Sequence, residues 1–280
     1  MKQCRKLPVV LTIAGSDSGG GAGIQTDLRT FNAFRVYGCS AITAVTSQNP
    51  FEVRRVDALP AAAVRCQIES VLDAFPVRIA KTGMLANREI VECVAETVSE
   101  RSIDLVVDPV MVSTSGIPLL EESAVAVMVE RLFPLAAWIT PNIPEAELIC
   151  GQKITSADDL ADAAMTIYRR FGCSVILKSG HLDNVDSVSD IVCHEGKLFA
   201  ATSPRIAVFG NVAHGTGCTL SAALAANLAR GENWERAVRE AKAFVFGALA
   251  EKVFLSDTLC QMYPPEESAL FRITLDGYDS

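Results

Sequence analysis

The order of short and long apolar segments constrains this chain more than any other feature. Short β-branched runs, Val9–Ala14, Cys39–Val45, Val77–Ala80, Leu105–Val107, Trp138–Thr140 and Ser174–Leu177, alternate with longer stretches of helical spacing: Ile24–Phe34, Ala61–Phe75, Arg88–Arg101, Glu121–Leu132 and Ala157–Phe171. In the first of these, Ile24, Leu28 and Phe31 share one face. Strands that alternate with helices form a mostly parallel sheet, because a parallel pair needs a long crossover and the crossover helices then cover both sheet faces. The expected fold is therefore α/β, a central mostly parallel sheet flanked by helices. Val188–Cys193 and Lys197–Ala201, around the turn His194-Glu195-Gly196, interrupt the rhythm as a small antiparallel hairpin, and helices over Thr219–Ala229 and Trp234–Lys252 follow. No repeat, low-complexity tract or Gly/Ser/Pro linker divides the sequence, so residues 1–280 are expected to form one domain.

Charge and cysteine usage narrow the partners. A net charge of −8 and a pI near 5.0, with no Lys/Arg cluster, argue against a phosphate-backbone ligand such as nucleic acid. The nine cysteines are dispersed, with no C-x-x-C and no Cys/His pair at ligand spacing, which argues against structural zinc or a disulfide framework and fits a reducing cytoplasm. Leu7–Ala14 follows a basic start but is short and breaks into Gly15-Ser16-Asp17, so it reads as the first strand and not as a signal sequence. No run approaches the roughly 18 apolar residues of a membrane span. Small molecules are the expected partners.

In open parallel sheets, ligands lie beyond the carboxyl ends of the strands, and the chemically suggestive residues follow strands here. "AGSDSGGGAG", Ala14 to Gly23, follows the first strand; it lacks the Gly-Lys-Ser/Thr of a phosphate-binding loop and the G-x-G-x-x-G of a dinucleotide fold, which leaves close backbone approach to a small ligand or a plain turn. Thr46-Ser47-Gln48-Asn49 follows the second, and the Gln48 amide has both a donor and an acceptor for a heterocycle. Lys81-Thr82-Gly83-Met84-Leu85 follows the third. Asp108, Asn142 and Glu145 arrive at the same edge from the next two elements, as in a magnesium-phosphate site, and Lys178 ends the sixth strand where it can meet phosphate. His181 and His194 read as structural or solvated. Finally, "HGTGCTLSAA", His214 to Ala223, sets a glycine turn before a helix, which reads either as a place where N–H groups and the helix dipole favour an anion or a thiolate at Cys218 or as a plain helix start carrying a small buried sulfur.

The motifs "AGSDSGGGAGIQTDLRTF", "YGCSAITAVTSQN", "KTGML", "VVDPVMVSTSG", "ITPNIPEAELICG", "KSGHL" and "HGTGCTLSAALAANLARG" run in order from Ala14 to Gly231. Through them the sequence resembles the hydroxymethylpyrimidine/phosphomethylpyrimidine kinases of thiamine biosynthesis, within the ribokinase-like superfamily. The resemblance implies a three-layer ribokinase-like fold, ATP with Mg2+, and phosphorylation of 4-amino-5-hydroxymethyl-2-methylpyrimidine and then of its monophosphate, by a homodimer. It implies that Gln48 reads the pyrimidine, with Gly15, Ala22, Met84 and Val110 around it. Asp108 and Glu145 match magnesium positions, and Asn142 and Lys178 lie near the nucleotide phosphates. Gly215, Thr216 and Gly217 match the anion hole and Cys218 the catalytic base, while Asp27 has a structural or a functional place. A pyridoxal kinase or dual-specificity enzyme of the same fold is the alternative activity, and a non-catalytic pyrimidine sensor a remoter one.

Related sugar kinases carry aspartate where Cys218 stands. Phosphoryl transfer has a loose transition state, so the attacking oxygen needs orientation more than early deprotonation. The second acceptor is a phosphate whose second pKa is about 6 and needs no base, and a carboxylate would repel it where a neutral thiol does not. Two departures stand out. The family's terminal G-x-G-x-G-P segment is absent from Phe254 to Ser280, which leaves the adenine contacts open, and Lys178-Ser179-Gly180 replaces the more usual Gly-Gly after the lysine.

Overall fold

The computed structural model describes residues 6–111, 120–180, 186–207 and 212–278, so His181 lies outside it. Strand β1 (Val9–Asp17) leads into helix α1 (Gly23–Ala33), then β2 (Tyr37–Asn49), β3 (Glu52–Ala58), α2 (Ala61–Ala74), β4 (Ile79–Thr82), α3 (Arg88–Ser99) and β5 (Asp104–Val107). There follow α4 (Glu122–Val127), β6 (Ala136–Ile139), α5 (Ile143–Cys150), α6 (Ala157–Phe171), β7 (Ser174–Leu177), β8 (Ser187–His194), β9 (Lys197–Pro204), α7 (Thr216–Ala229) and α8 (Trp234–Ala250). Strands β10 (Val253–Ser256), β11 (Leu259–Gln261) and β12 (Thr274–Gly277) close the chain.

Ten of these strands form one sheet in the order β12-β9-β8-β7-β6-β5-β4-β1-β2-β3. β2, β1, β4, β5, β6 and β7 are mutually parallel, with β3 antiparallel at one edge and β8, β9 and β12 antiparallel at the other. Successive strand residues point to opposite faces, and the core divides accordingly. Leu11, Ile13, Leu105, Val107, Val175 and Leu177 pack under α2–α6, whereas Val10, Val106 and Ile176 pack under α1, α7 and α8. This is the three-layer ribokinase-like arrangement. Helix α7 is apolar nearly all round and is buried from Thr219 to Asn227, its alanines Ala222, Ala223, Ala225 and Ala226 letting it lie close to the sheet.

The differences from the expected elements have physical causes. β2 runs on to Asn49 because β3 pairs with it, so Gln48 sits within a strand opposite Val53 and not in a loop. β3 alternates charges and is mostly exposed at the sheet edge, which hides its strand character. α5 is short and defined by its ends: Asn142 and Glu145 form a reciprocal capping box and Gly151 closes it at φ +70°. Glu121–Leu132 is helical only to Val127 before the chain widens into a π turn. His194 is stacked between Trp138 and Trp234.

Candidate active site

Every residue singled out above as catalytic, substrate-binding or nucleotide-binding lines a single cavity of about 540 Å³ at the carboxyl ends of the parallel strands. Gly15, Ala22, Gln48, Met84, Val110 and Cys218 are among its lining residues. Gly15 has no side chain where Met84 lies; a Cβ would come within 3.1 Å of its terminal methyl. Asp108, Lys178, Asn142 and Glu145 line it too, as do Gly215, Thr216 and Gly217, with Gly217 against Lys178 and Asp108. An apolar stretch of the lining, here called its far end, is made of Val188, Ile206, Val245, Phe246 and Leu249, from β8, the segment after β9, and α8. Among the described residues, nothing beyond Leu249 lines the cavity, so the divergent tail does not build this wall. The tail packs elsewhere: β10 and β11 pair, Met262 joins Val212 and Ala248 in a small cluster, and β12 extends the sheet beside β9.

The two glycine-rich loops differ. Between β1 and α1, the N–H groups of Gly19, Gly21 and Ala22 donate to the Asp17 carboxylate at 2.8, 3.1 and 2.9 Å. That loop is a cradle already occupied by the protein's own anion. Burial works to raise the Asp17 pKa, but His214 and these N–H groups outweigh it and hold the carboxyl below its usual value. At the second loop, Gly215 is the N-cap of α7 at φ +85°, and a Cβ there would collide with the Gly21 carbonyl oxygen. Thr216 turns its hydroxyl back to the Ala213 carbonyl at 3.0 Å. The Thr216 N–H also donates to the Ala213 carbonyl at 3.3 Å, so the first-turn N–H groups without partners inside the helix that remain at the cavity are those of Gly217 and Cys218.

The charges opposite this turn are arranged in order. Lys178 Nζ donates to Asp108 Oδ1 at 3.1 Å, and Ser221 from α7 contributes a hydroxyl 3.3 Å from Oδ2. Gly217 lies against the pair, since a Cβ there would sit 3.1 Å from Lys178 Nζ. Burial would raise Asp108, but Lys178 and Lys81 more than offset it and keep the carboxylate ionised. Burial pushes Glu145 up to about 7 against the attraction of Lys178. Asn142 uses its side-chain oxygen to cap α5 through the Glu145 N–H at 2.9 Å, while its own N–H donates to Glu145 Oε2 at 2.8 Å. No group of three or more His, Cys, Asp or Glu residues able to cage a metal occurs among the described residues. Two carboxylates beside a lysine fit instead an ion that keeps its waters and arrives with phosphate oxygens, as magnesium does.

Cys218 is partly exposed at the cavity wall in the first turn of α7. Burial pushes its thiol up to about 11, and the nearby Lys81 ammonium recovers only part of the cost. The helix terminus thus does not yield a thiolate; the group is a neutral thiol at ordinary pH.

Four side chains that contribute here, Lys81, Lys242, Asp190 and His214, were not singled out by sequence reasoning. Lys81 lies in β4, wholly buried, and donates to both oxygens of Asp27 at 2.9 Å, while Thr12 donates to Asp27 Oδ2 at 2.6 Å. Burial works against the Lys81 charge, but Asp27 outweighs it and holds the ammonium above its ordinary pKa. Asp27 is thus tied into a buried ion pair, with Lys81 reaching the cavity lining. A lysine at the end of an apolar strand was the available signal. Lys242 from α8 and Asp190 from β8 form a second buried pair at 2.6 Å toward the far end. His214 reaches both Gln48 and Asp17, a convergence of distant segments that no local pattern encodes.

Comparison with known proteins now bears on this cavity. The family model described as phosphomethylpyrimidine kinase matches residues 17–261. The hydroxymethylpyrimidine/phosphomethylpyrimidine kinase of Haemophilus influenzae is 45% identical over 245 residues, covering 86% of this chain and 90% of its own. The crystal structure of phosphomethylpyrimidine kinase from Clostridium difficile superposes with a TM-score of 0.76 at 40% identity, covering 87% of this chain and all of that one (100%). The pyridoxal kinase of Staphylococcus aureus in complex with AMP-PCP gives a TM-score of 0.86 at 32% identity and covers 98% of this chain and 100% of its own.

Proposed function

The chain belongs to the phosphomethylpyrimidine kinase family, and from that premise we propose how its cavity transfers a phosphoryl group from ATP to 4-amino-5-hydroxymethyl-2-methylpyrimidine and then to the resulting monophosphate. It is a phosphotransferase of thiamine biosynthesis. The observation that carries the site assignment is convergence: the motif residues, dispersed from Gly15 to Cys218, face one another around one cavity with a lysine and two acids opposite an open helix N-terminus.

In this reading the pyrimidine lies against Met84, Val110, Gly15 and Ala22, with Gln48 bonding its polar edge. The nucleoside of ATP occupies the apolar far end, and its phosphates run toward Lys178 and Asn142. The Gly215-Thr216-Gly217 turn forms the anion hole and presents to the phosphoryl group in flight those backbone N–H groups that are not taken within the turn, a fixed arrangement as charge spreads over its oxygens. Asp108 and Glu145 would hold a magnesium ion, which when bound would neutralise phosphate charge. Cys218 stands beside the acceptor hydroxyl and orients it, and the small fraction of Cys218 present as thiolate takes the hydroxyl proton in the first transfer, becoming the thiol. In the second transfer the acceptor is already anionic, and the neutral thiol lets it approach.

Pyridoxal is a second acceptor to consider, because the pyridoxal kinase structure covers 98% of this chain, the tail included, whereas the phosphomethylpyrimidine kinase structure covers 87%. We also place the enzyme in the cytoplasm as one kinase domain over residues 1–280. The cysteines among the described residues are all free, and no helix there is long and apolar enough to cross a membrane. A homodimer is proposed through the β3 edge, where Phe51, Val45 and Val56 are exposed. The deciding experiment is ATP turnover with the pyrimidine, its monophosphate and pyridoxal as separate acceptors. Diphosphate formation from the pyrimidine is expected; monophosphate alone under saturating ATP and magnesium would overturn the two-step reading, and turnover with pyridoxal only would move the enzyme to the alternative.

A further inference from the structure

We propose that Asp190, held by Lys242, is a positioning residue that aims Lys178 at the nucleotide phosphates by binding the backbone of the residue that follows it. The proposal rests on the reading of Lys178 as a phosphate-binding group.

The backbone around Lys178 is fixed from both sides. Its own N–H donates to the Pro141 carbonyl at 2.8 Å, and Lys178 bridges Asn142 in parallel, so the contact with the β6 side runs on past β7. On the other side, β7 pairs with β8 only as far as Leu177 opposite Ile191. Beyond that point the Asp190 side chain takes over: its Oδ1 accepts the Ser179 N–H at 3.0 Å. Its other oxygen, Oδ2, accepts from Lys242 Nζ on α8 at 2.6 Å. Asp190, Lys242 and Ser179 are all buried, and all three line the cavity.

The N–H groups of Lys178 and Ser179 flank the Lys178 Cα, and fixing both sets the direction in which its side chain leaves the backbone. The tip is then held by Asp108 at 3.1 Å, which uses one of the three donors of an ammonium and leaves others for phosphate. Lys242 has two effects on Asp190. It holds the carboxylate from behind, and it cancels a negative charge that would otherwise repel phosphate so close to Lys178. The pair also joins the anchor to the apolar far end. Lys242 stands three and four residues before Val245 and Phe246 on one face of α8, and Val188 and Asp190, two apart, share a face of β8. A buried ion pair is a poor source of stability compared with apolar side chains of the same volume. What this one supplies is geometry: it ties the wall assigned to the nucleoside to the lysine assigned to the phosphates.

The test follows kcat and KM for ATP, KM for the pyrimidine, and competitive inhibition by adenosine, which is the nucleoside without phosphate. The variants are Asp190→Leu, Asp190→Asn, Lys242→Met, Lys178→Met and the combination of Asp190→Leu with Lys178→Met. Asp190→Leu keeps the shape of the side chain without an acceptor. Its kcat/KM for ATP should fall roughly ten- to a hundredfold, the scale of a misplaced binding group, with KM for the pyrimidine and inhibition by adenosine near wild type. A Lys242 freed of Asp190 attracts anions, so this fall cannot come from net charge. Asp190→Asn, which keeps an acceptor for the Ser179 N–H, should recover most of the loss, and Lys242→Met should lie between. The combined variant should be no worse than Lys178→Met, because residues acting through one contact are not additive. An unmoved kcat/KM for ATP in Asp190→Leu overturns the inference, as do losses that multiply in the combined variant. Adenosine inhibition weakened by the same factor as ATP use also overturns it, making the pair a support of the nucleoside wall. Should Asp190→Leu not fold, Lys242→Met carries the same comparisons, alone and with Lys178→Met. If Lys178→Met itself leaves kcat/KM for ATP unmoved, the reading of Lys178 fails first and the inference with it.

Discussion

Two glycine-rich loops precede two helices in this protein, and only one of them is open. In the first, the converging N–H groups of Gly19, Gly21 and Ala22 are taken by Asp17. In the second, Gly215–Gly217 leave the α7 terminus facing the cavity, with Lys178 and Asp108 opposite. Glycines before a helix make an anion site available, but a carboxylate one turn upstream can fill it. The filled loop then becomes scaffolding, and here it is the surface against which Gly215 packs.

The contrast can be broken by experiment. The largest effect is expected at the open loop itself. Cys218→Ala should depress the first phosphorylation by roughly 10²–10⁴-fold, the range for losing a general base, and the second far less, as separate half-reaction assays would read. In the wild type the first step should keep rising with pH through the neutral range, because the thiol is held up to about 11 by burial and the base form grows as protons leave. Equal small losses in both steps would reduce Cys218 to packing.

Next comes a matched pair. Gly215→Ala places a Cβ on the Gly21 carbonyl and demands a left-handed backbone from an L side chain, so kcat for both steps should fall by about 10²–10³-fold, the scale of a lost oxyanion donor. Asp17→Asn, in the filled loop, should instead cost about 1–3 kcal/mol of stability, measured by denaturant unfolding, with ATP affinity preserved. If the two variants exchange signatures, the assignment of one loop to chemistry and the other to scaffolding is inverted.

The smallest effect concerns the acids facing the open loop. Glu145, pushed up to about 7 by burial, is half protonated near neutrality. Magnesium prefers the carboxylate, so its apparent affinity should weaken as pH falls below 7, approaching tenfold per unit, and level off above it. Glu145→Gln should flatten that dependence in a magnesium titration at several pH values; an unaltered profile would remove Glu145 from the metal site.

Much of this was legible in the sequence, for identifiable reasons. Buried parallel strands are apolar runs and their crossover helices are amphipathic, so the sheet, its hairpin and the strand ends that form the site followed from periodicity. The site residues line the cavity because most stand at or just beyond the carboxyl end of a strand, Gly15 and Gln48 within the last residues of β1 and β2, while Gly215–Cys218 lie at the start of α7. β3 was missed because an edge strand of Glu52, Arg54, Arg55 and Asp57 has no hydrophobic face to reveal it. α5 is too short for periodicity to register and is specified by its caps. The ownership of the Gly19–Ala22 amides depends on where one carboxylate turns, and the Lys81–Asp27 pair on two segments meeting across the interior. Composition records neither. The tail was unreadable as a substitute for the family's terminal glycine segment because it performs a different task, closing the sheet edge through β12.

The meeting of the two loops also governs when the enzyme becomes competent during its own synthesis. Asp17 and His214 are 197 positions apart in the chain, and joining such ends carries an entropic cost on the order of 5 kcal/mol, beyond a constant. The pocket for the acceptor is therefore assembled by a contact of very long range, the kind that forms late in folding. A nascent chain that has already emerged through β7 holds Gln48, Asp108 and Lys178 in a forming sheet, yet has no turn to bring phosphate to them. Until α7 docks, the unfinished protein has no loaded pocket in which ATP could be spent.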